Sequence, residues 1–376
     1  MLRILHTADL HLDAQFPSLG EKEQQRREDF LKTFERIITL AIKSEVHLLL
    51  IAGDLFDSPR PSAQTVGRVQ AGLKRLVDRG ILPVLLPGTH DNLVSREAIY
   101  RRSSFPDAIV LDAPQVEQPV VVQAGGQQIH LYGFAYRSSV SDQALGSMQR
   151  RAGEGVHIGL LHGSRQGSPE WDYRKKDLPF TLPGLKHWGL DYVALGHYHS
   201  HEILQDGGRI LACYPGSPEG KRFGENGPRH CALVTLDAGQ VRVEAVAVQT
   251  RILEERTLDL SGCENSEAAA AAITALANPN LLLRLTLTGI VEAPLALDLL
   301  QGRCGAEFFH LELLDRTRLY DSDFARRILA EETVRGLFVR RLQARMAQAS
   351  SAEKLVLEEA FREVLVRFHA FEGGAA

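Results

Sequence analysis

The chain has 376 residues, with 43 Lys+Arg against 47 Asp+Glu and a formal net charge of -4. A hydrophobic fraction of 44% beside 24% charged residues excludes wholesale disorder and is enough for a large buried core. The near-neutral balance argues neither for nor against nucleic-acid binding, but confines any phosphate-holding surface to a local patch.

In chain order, Leu2 to Thr7 reads as a strand. Gln24 to Lys43 reads as a helix, with Phe30, Phe34, Ile37, Ile38 and Ala41 at helical spacing. His47 to Ala52 is a continuous apolar run of buried-strand type. Ser62 to Arg79 reads as a second helix, capped by Ser62 and closed by Gly80, and Leu82 to Leu86 as a third strand. Further strands are expected at 120–123, 128–132, 156–161, 192–195, 209–213, 232–236 and 241–248, an alternation that points to layered α/β architecture. Beyond residue 250, a strand at 257–260, a helix through the alanine run 268–277 and a strand at 281–288 describe a small α+β unit, completed by 295–300 and 308–314. From Asp321 onward the pattern is helical, over 324–346 and 352–371, with a break near Ser350 and Ser351. Three blocks are expected: 1–250, 251–316 and 317–376.

No apolar run approaches the ~20 residues needed to cross a bilayer. The first residues run straight into His6, Asp9 and His11, leaving no room for a secretory apolar region. The cysteines at 213, 231, 263 and 304 form no C-x-x-C pair. A reducing, cytoplasmic setting without membrane contact is expected.

Five polar clusters each follow an apolar strand. They are Asp9-Leu10-His11, Gly53-Asp54-Leu55-Phe56-Asp57, Gly88-Thr89-His90-Asp91-Asn92, His162-Gly163 and Gly196-His197-Tyr198-His199. Ligands of open α/β sheets gather beyond the carboxyl ends of strands, so these distant groups are expected to meet at one edge. Asp9 and His11, like His197 and His199, are two apart, and in extended chain such residues point to the same side. Leu10 would then face the core. Gly53 and Gly88 would let the backbone turn sharply. Mixed Asp and His ligands without thiolates suit manganese, iron or zinc. Two such cations ~3.5–4 Å apart, bridged by a carboxylate such as Asp54, would activate water and clamp a phosphate.

The series DLH, GDLFD, GTHD, HG and GHYH resembles the calcineurin-like metallophosphoesterases. Residues 53–62, with Tyr214-Pro-Gly-Ser217 after the last cluster, resemble the SbcD and YhaO-like branch, nuclease subunits of DNA-repair exonuclease complexes. The likeness is dense over 1–250 and weaker beyond. It implies a metallophosphoesterase β-sandwich flanked by helices, two divalent metals with manganese foremost, and hydrolysis of DNA phosphodiesters by exo- or endonuclease action. It further implies one metal on Asp9, His11, Asp54 and His199, and a second on Asp54, His162 and His197. His90 would assist the leaving oxygen, Asp91 would orient His90, and Asp57 and Arg60 would lie beside the DNA backbone. The family places Asn where this chain has Thr89, which implies a looser second site. Asn92 is an alternative ligand there. The resemblance also implies a capping role for 251–316, an SMC-like ATPase partner of the SbcC or YhaN kind on the C-terminal helices, and a homodimer through helices such as 62–79. A phosphodiesterase or phosphatase on small nucleotides, and a weakly active scaffold for the ATPase, are the alternatives.

Arg96, Arg101, Arg102, Arg165, Arg174, Lys175, Lys176, Lys221 and Arg222 follow motif strands and could form a phosphate-contacting rim. Glu97, Glu170, Asp172, Asp177, Glu219 and Glu225 are interleaved with them, which instead describes ordinary solvated loops. Trp171 and Tyr173 could stack on unpaired bases or pin a loop. The C-terminal helices carry apolar stripes, one of Phe324, Ile328, Leu329, Val334, Leu337, Phe338 and Leu342, the other of Leu355, Leu357, Phe361, Leu365 and Phe368. These could pack on each other or on a partner's helices.

Overall fold

The computed structural model describes residues 1–137, 142–172, 177–263, 265–320 and 322–373. Tyr173, Arg174, Lys175 and Lys176 lie outside these residues, and Leu355 is outside those whose side chains are described. Two compact units divide the chain, Met1–Ile252 and Leu253–Ala376.

The first unit is two six-stranded sheets in layered α/β architecture. In chain order the strands are β1 (Leu2–Thr7), β2 (Leu48–Ala52), β3 (Leu82–Leu86), β4 (Ile109–Val110), β5 (Val120–Ala124), β6 (Gln127–Gly133), β7 (Val156–His162), β8 (Tyr192–Gly196), β9 (Glu202–Asp206), β10 (Arg209–Tyr214), β11 (His230–Asp237) and β12 (Gln240–Ala247). One sheet runs β12-β11-β1-β2-β3-β4 and the other β5-β6-β7-β8-β10-β9. β1 through β4 are parallel neighbours, as are β6, β7 and β8.

β2 is apolar at every position because both its faces are covered. Leu49 and Ile51 pack with Phe34, Ile37 and Ile38 of helix α1 (Glu23–Lys43) and with Val69 and Leu73 of helix α2 (Ala63–Val77). Leu48, Leu50 and Ala52 face the other way, into a core shared with Ile129, Leu131, Ile158 and Leu160 of the second sheet. Each such leucine contributes roughly 1.5–3 kcal/mol through burial. The Ser62 cap is as expected: its Oγ accepts from Thr65 N–H at 3.3 Å. β9 adds a strand that its polar sequence does not announce, although the Gly207-Gly208 turn joining it to β10 is a hairpin signal.

The second unit has a three-stranded sheet of Ile252–Asp259, Leu281–Thr288 and His310–Asp315, with helices Ser266–Thr274 and Leu297–Cys304. Among the described residues its C-terminal helices are three: Ser322–Ala330, Val334–Gln348 and Ser351–Gly373. The single helix expected over 324–346 is therefore corrected. Thr333 interrupts it as a new N-cap, its Oγ1 accepting from Gly336 N–H at 3.3 Å. A Cβ at Gly336 would stand 2.2 Å from the Glu331 carbonyl, so only glycine allows that close turn. Phe324, Ile328, Val339, Phe361 and Leu365 form a core shared by these helices, while Val334, Leu337 and Phe338 remain exposed. Among the described residues, no helix is long and apolar enough to cross a membrane.

Candidate metal centre

The five clusters lie at carboxyl ends of β1, β2, β3, β7 and β8. The loops after β1 and β2 are joined by hydrogen bonds: Asp9 N–H donates to the Gly53 carbonyl (3.1 Å), His11 N–H to that of Asp54 (3.0 Å) and Leu12 N–H to that of Leu55 (3.0 Å). Asp9, His11 and Asp54 reach these positions in left-handed backbone, at φ of 54°, 45° and 50°, and His197 stands at 103°. Such conformations cost a non-glycine residue on the order of 1–3 kcal/mol and collect at functional sites. The extended D-L-H geometry is thus corrected. Its side chains converge through strained turns, although Leu10 is buried in the core as expected.

Three glycines allow the loops to close on the site. A Cβ on Gly53, itself at φ 96°, would lie 2.1 Å from His162 Nδ1. On Gly196 it would lie 1.9 Å from the Ala52 carbonyl oxygen. On Gly88 it would lie 2.3 Å from Asp54 Oδ1, so this glycine serves close approach rather than a left-handed turn.

Among the described residues the side chains come together in three overlapping groups, one of them His11, Asp57 and His90. Asp9, His11 and His199 offer ligand atoms within 4.8 Å of one another, and so do Asp9, Asp54 and His162. His11 Nε2 and His199 Nε2 are 3.2 Å apart. Asp54 Oδ2 is 3.9 Å from His11 Nε2 and 3.4 Å from His162 Nε2, between the latter two groups. Thr89 Oγ1 approaches the Asp54–His162 group, 3.2 Å from Asp54 Oδ2 and 3.4 Å from His162 Nε2. His197 stands alongside, its ring centroid 5.2 Å from that of His162, and its N–H donates to both Asp9 oxygens.

His162 and His199 are hydrogen-bonded from the far nitrogen, and His11 Nδ1 makes a close contact with a carboxylate. His162 Nδ1 donates to the Ala52 carbonyl (2.9 Å), His199 Nδ1 lies 2.7 Å from Glu225 Oε1, and His11 Nδ1 lies 3.0 Å from Asp57 Oδ1. Such partners leave Nε2 to face a metal. Burial pushes Asp9 up to about 6 and lowers His11 and His197 to about 4. Burial also opposes charge on Asp54 and His162, but their mutual attraction outweighs it, holding Asp54 well below the carboxylate range and raising His162 to about 10. Two buried carboxylates facing several imidazoles, with no thiolate, form a donor set that fits divalent cations of the manganese, iron or zinc type.

Residues 2–201, more than half of the chain, match the family of calcineurin-like phosphoesterases. The chain belongs to that family. Over 273 residues it is 27% identical to the uncharacterized metallophosphoesterase YhaO of Bacillus subtilis, a match covering 71% of this chain and 65% of YhaO. It is 28% identical over 227 residues to the DNA double-strand break repair protein Mre11 of Saccharolobus solfataricus, covering 58% of this chain and 55% of that protein. The Mre11 of Sulfurisphaera tokodaii is 30% identical over 224 residues, covering 58% and 54%. The chain thus spans less than two thirds of the length of these relatives. Among solved structures, TT1561 of Thermus thermophilus superposes with a TM-score of 0.39 at 14% identity, covering 65% of this chain and 98% of that one.

Around this candidate centre the remaining residues are distributed as follows. His90 is half-exposed; its Nδ1 is 3.1 Å from the Asp57 carbonyl oxygen and 3.6 Å from Asp57 Oδ1. Asp91, expected to orient His90, is fully buried and instead accepts from Gly88 N–H (2.7 Å), Phe56 N–H (3.2 Å) and Tyr100 Oη–H (2.9 Å). It shapes the loop, and the carboxylate beside the His90 ring is Asp57. Arg60 is exposed, 3.8 Å from Glu97. Asn92 is held in place by donating to the Thr89 carbonyl (2.7 Å) and accepting from Val94 N–H (3.0 Å).

Of the expected basic rim, Arg165 is paired with Glu202, Lys221 with Asp57 and Arg102 with Glu97, and Arg101 donates to the Leu93 carbonyl. Three carboxylates interleaved in loops that the sequence could leave solvated are instead tied into the structure. Glu225 holds His199, Glu170 accepts from His199 N–H (3.3 Å) and Ser200 N–H (2.7 Å), and Glu219 is 1% exposed. Glu225 and Glu170 find His199 26 and 29 residues away in sequence, so no local spacing marks them.

Proposed function

We propose that this chain is a metal-dependent DNA phosphodiesterase, the nuclease subunit of a repair complex with an SMC-like ATPase. The observation carrying the metal-dependent part is the convergence of His11 Nε2 and His199 Nε2, 3.2 Å apart, beside the buried carboxylates of Asp9 and Asp54. Two imidazole nitrogens aimed at one point beside two carboxylates suit a divalent cation between them, in place of the proton that could otherwise bridge the two rings. The choice of DNA is supported by likeness to Mre11 proteins.

In this reading Asp9, His11, Asp54 and His199 hold one ion, manganese foremost. Asp54, His162 and His197 hold the second, with the Thr89 hydroxyl in the place of a stronger amide ligand. When bound, two such ions supply an activated water and a clamp on phosphate oxygens. His90, whose Nδ1–H donates to the Asp57 carbonyl, keeps Nε2 for the scissile group and, as the doubly protonated imidazolium, gives its Nε2 proton to the leaving oxygen and becomes neutral. Asp91 supports the loop that carries Thr89 and His90. Asp57 and Arg60 contact the DNA backbone in this reading. Residues 251–316 act as a capping domain that shapes DNA access, and the helices beyond 317 receive the ATPase.

The test is incubation of purified protein and Asp54→Asn with manganese, on linear DNA and on a chromogenic diester. DNA cleavage by the native protein, lost in the variant, supports the reading. Diester turnover without DNA cleavage would replace DNA by small nucleotides, and no hydrolysis at all would leave a scaffold.

A further inference from the structure

The segment after β10 reaches both the centre and helix α1. Ser217 N–H donates to the His199 carbonyl at 3.1 Å. Glu219 is buried and accepts from Arg26 Nη1 (2.6 Å), Thr33 Oγ1 (2.6 Å), Thr250 N–H (2.6 Å) and Arg251 N–H (3.2 Å). Arg26, on α1, is 1% exposed and also donates to the Gly220 carbonyl. Two residues further, the Lys221 ammonium is paired with Asp57, whose Oδ1 faces His11 Nδ1. Glu225 then uses both oxygens, Oε2 accepting from Lys221 N–H (2.7 Å) and Oε1 facing His199 Nδ1 (2.7 Å).

The two cation positions are therefore built differently. His199 is hydrogen-bonded by Glu225 of the 216–225 loop, and the Asp57 carboxylate, paired with Lys221 of that loop, stands 3.0 Å from His11 Nδ1. His162 is oriented by a backbone carbonyl at the end of β2 and owes nothing to that loop. We propose that the 216–225 loop is a positioning element for the His11–His199 position alone, anchored on α1 through Glu219 and acting through Glu225 on His199 and Lys221 on Asp57. The inference rests on the metal-centre reading above. Glu225 and Lys221 are positioning residues, since each acts through another side chain.

Removing an outer partner of a ligating histidine weakens metal affinity about 10- to 100-fold. Calorimetric titration of the native protein with Mn²⁺ is expected to give a tighter and a weaker step. In Glu225→Gln the tighter step weakens about 10- to 100-fold, while the weaker step moves less than about threefold. Paramagnetic resonance at limiting Mn²⁺ follows the same change, as ions redistribute between the positions. Lys221→Met acts in the same direction and Lys221→Arg restores the native pattern, which loss of packing alone would not. Should Glu225→Gln fail to fold, Lys221→Met, partly exposed, reads the same quantity. Equal weakening of both steps, or none, overturns the proposal. A native protein binding no Mn²⁺ overturns the metal centre as well, whereas two native steps unchanged in both variants overturn this proposal alone.

Discussion

Gly196→Ala tests how tightly the two sheet edges close on the centre. Gly196 ends β8 and lies opposite His162 in the β7–β8 register. An added Cβ would sit 1.9 Å from the Ala52 carbonyl oxygen, 2.9 Å from the Ala8 Cβ and 2.9 Å from His162 Nδ1. To reach ordinary contact at 3.4 Å, the ends of β2 and β8 must separate by about 1.5 Å. Both strands are fully buried, so that movement is resisted by packing on either side. Overpacking of this kind costs about 1–3 kcal/mol, and loss of the His162 Nδ1 bond to Ala52 adds about 1 kcal/mol. For a unit of this size, a total of about 2–4 kcal/mol lowers the melting temperature by roughly 5–15 °C. Because His162 loses its orientation, Mn²⁺ affinity at its position falls as well. Thermal unfolding with and without Mn²⁺ measures both effects. A native melting temperature together with native Mn²⁺ binding would refute the argument.

Thr89→Asn places an amide oxygen where the hydroxyl stands 3.2 Å from Asp54 Oδ2; the weaker Mn²⁺ step should tighten, and an unchanged isotherm would discount position 89. Arg26→Met leaves Glu219 and Asp29 buried with a cation removed, at a cost of about 3–5 kcal/mol by denaturant melts. His6 is held at about 3 by burial, against 6.5 in the unfolded chain. The unfolded state therefore binds the extra proton between these values. Stability is full above pH 6.5 and falls as the pH is lowered toward 3, by up to about 1.4 kcal/mol per pH unit. His6→Gln should flatten that slope in urea melts, and an unaltered slope would count against it.

The layered fold is readable in the sequence because its signals are local. The all-apolar β2, the α1 stripe and the Ser62 cap each follow from periodicity or a single hydrogen bond. The same holds for the polar clusters, which punctuate strand ends. The manner of convergence is not readable there. Asp9, His11 and Asp54 occupy left-handed backbone, which no local pattern announces and which the hydrogen bonds between the two loops hold in place. Asp91 is adjacent to His90 in sequence, yet its carboxylate is drawn inward by Gly88, Phe56 and Tyr100, and Asp57 takes the place beside the ring. Glu219 and Glu225 resemble solvated charges because they sit among Gly220, Lys221, Arg222 and Gly224. Their true partners, Arg26 and His199, are 193 and 26 residues away. Charge identity alone carries no pairing information across such distances.

The most direct measurement is anomalous diffraction at the manganese edge from crystals grown with Mn²⁺. Two peaks are predicted, one among Asp9, His11 and His199 and one among Asp54, His162 and His197. The first should persist at limiting metal and the second should fade. No peak at these side chains, or a single peak elsewhere on the chain, would contradict a dinuclear centre.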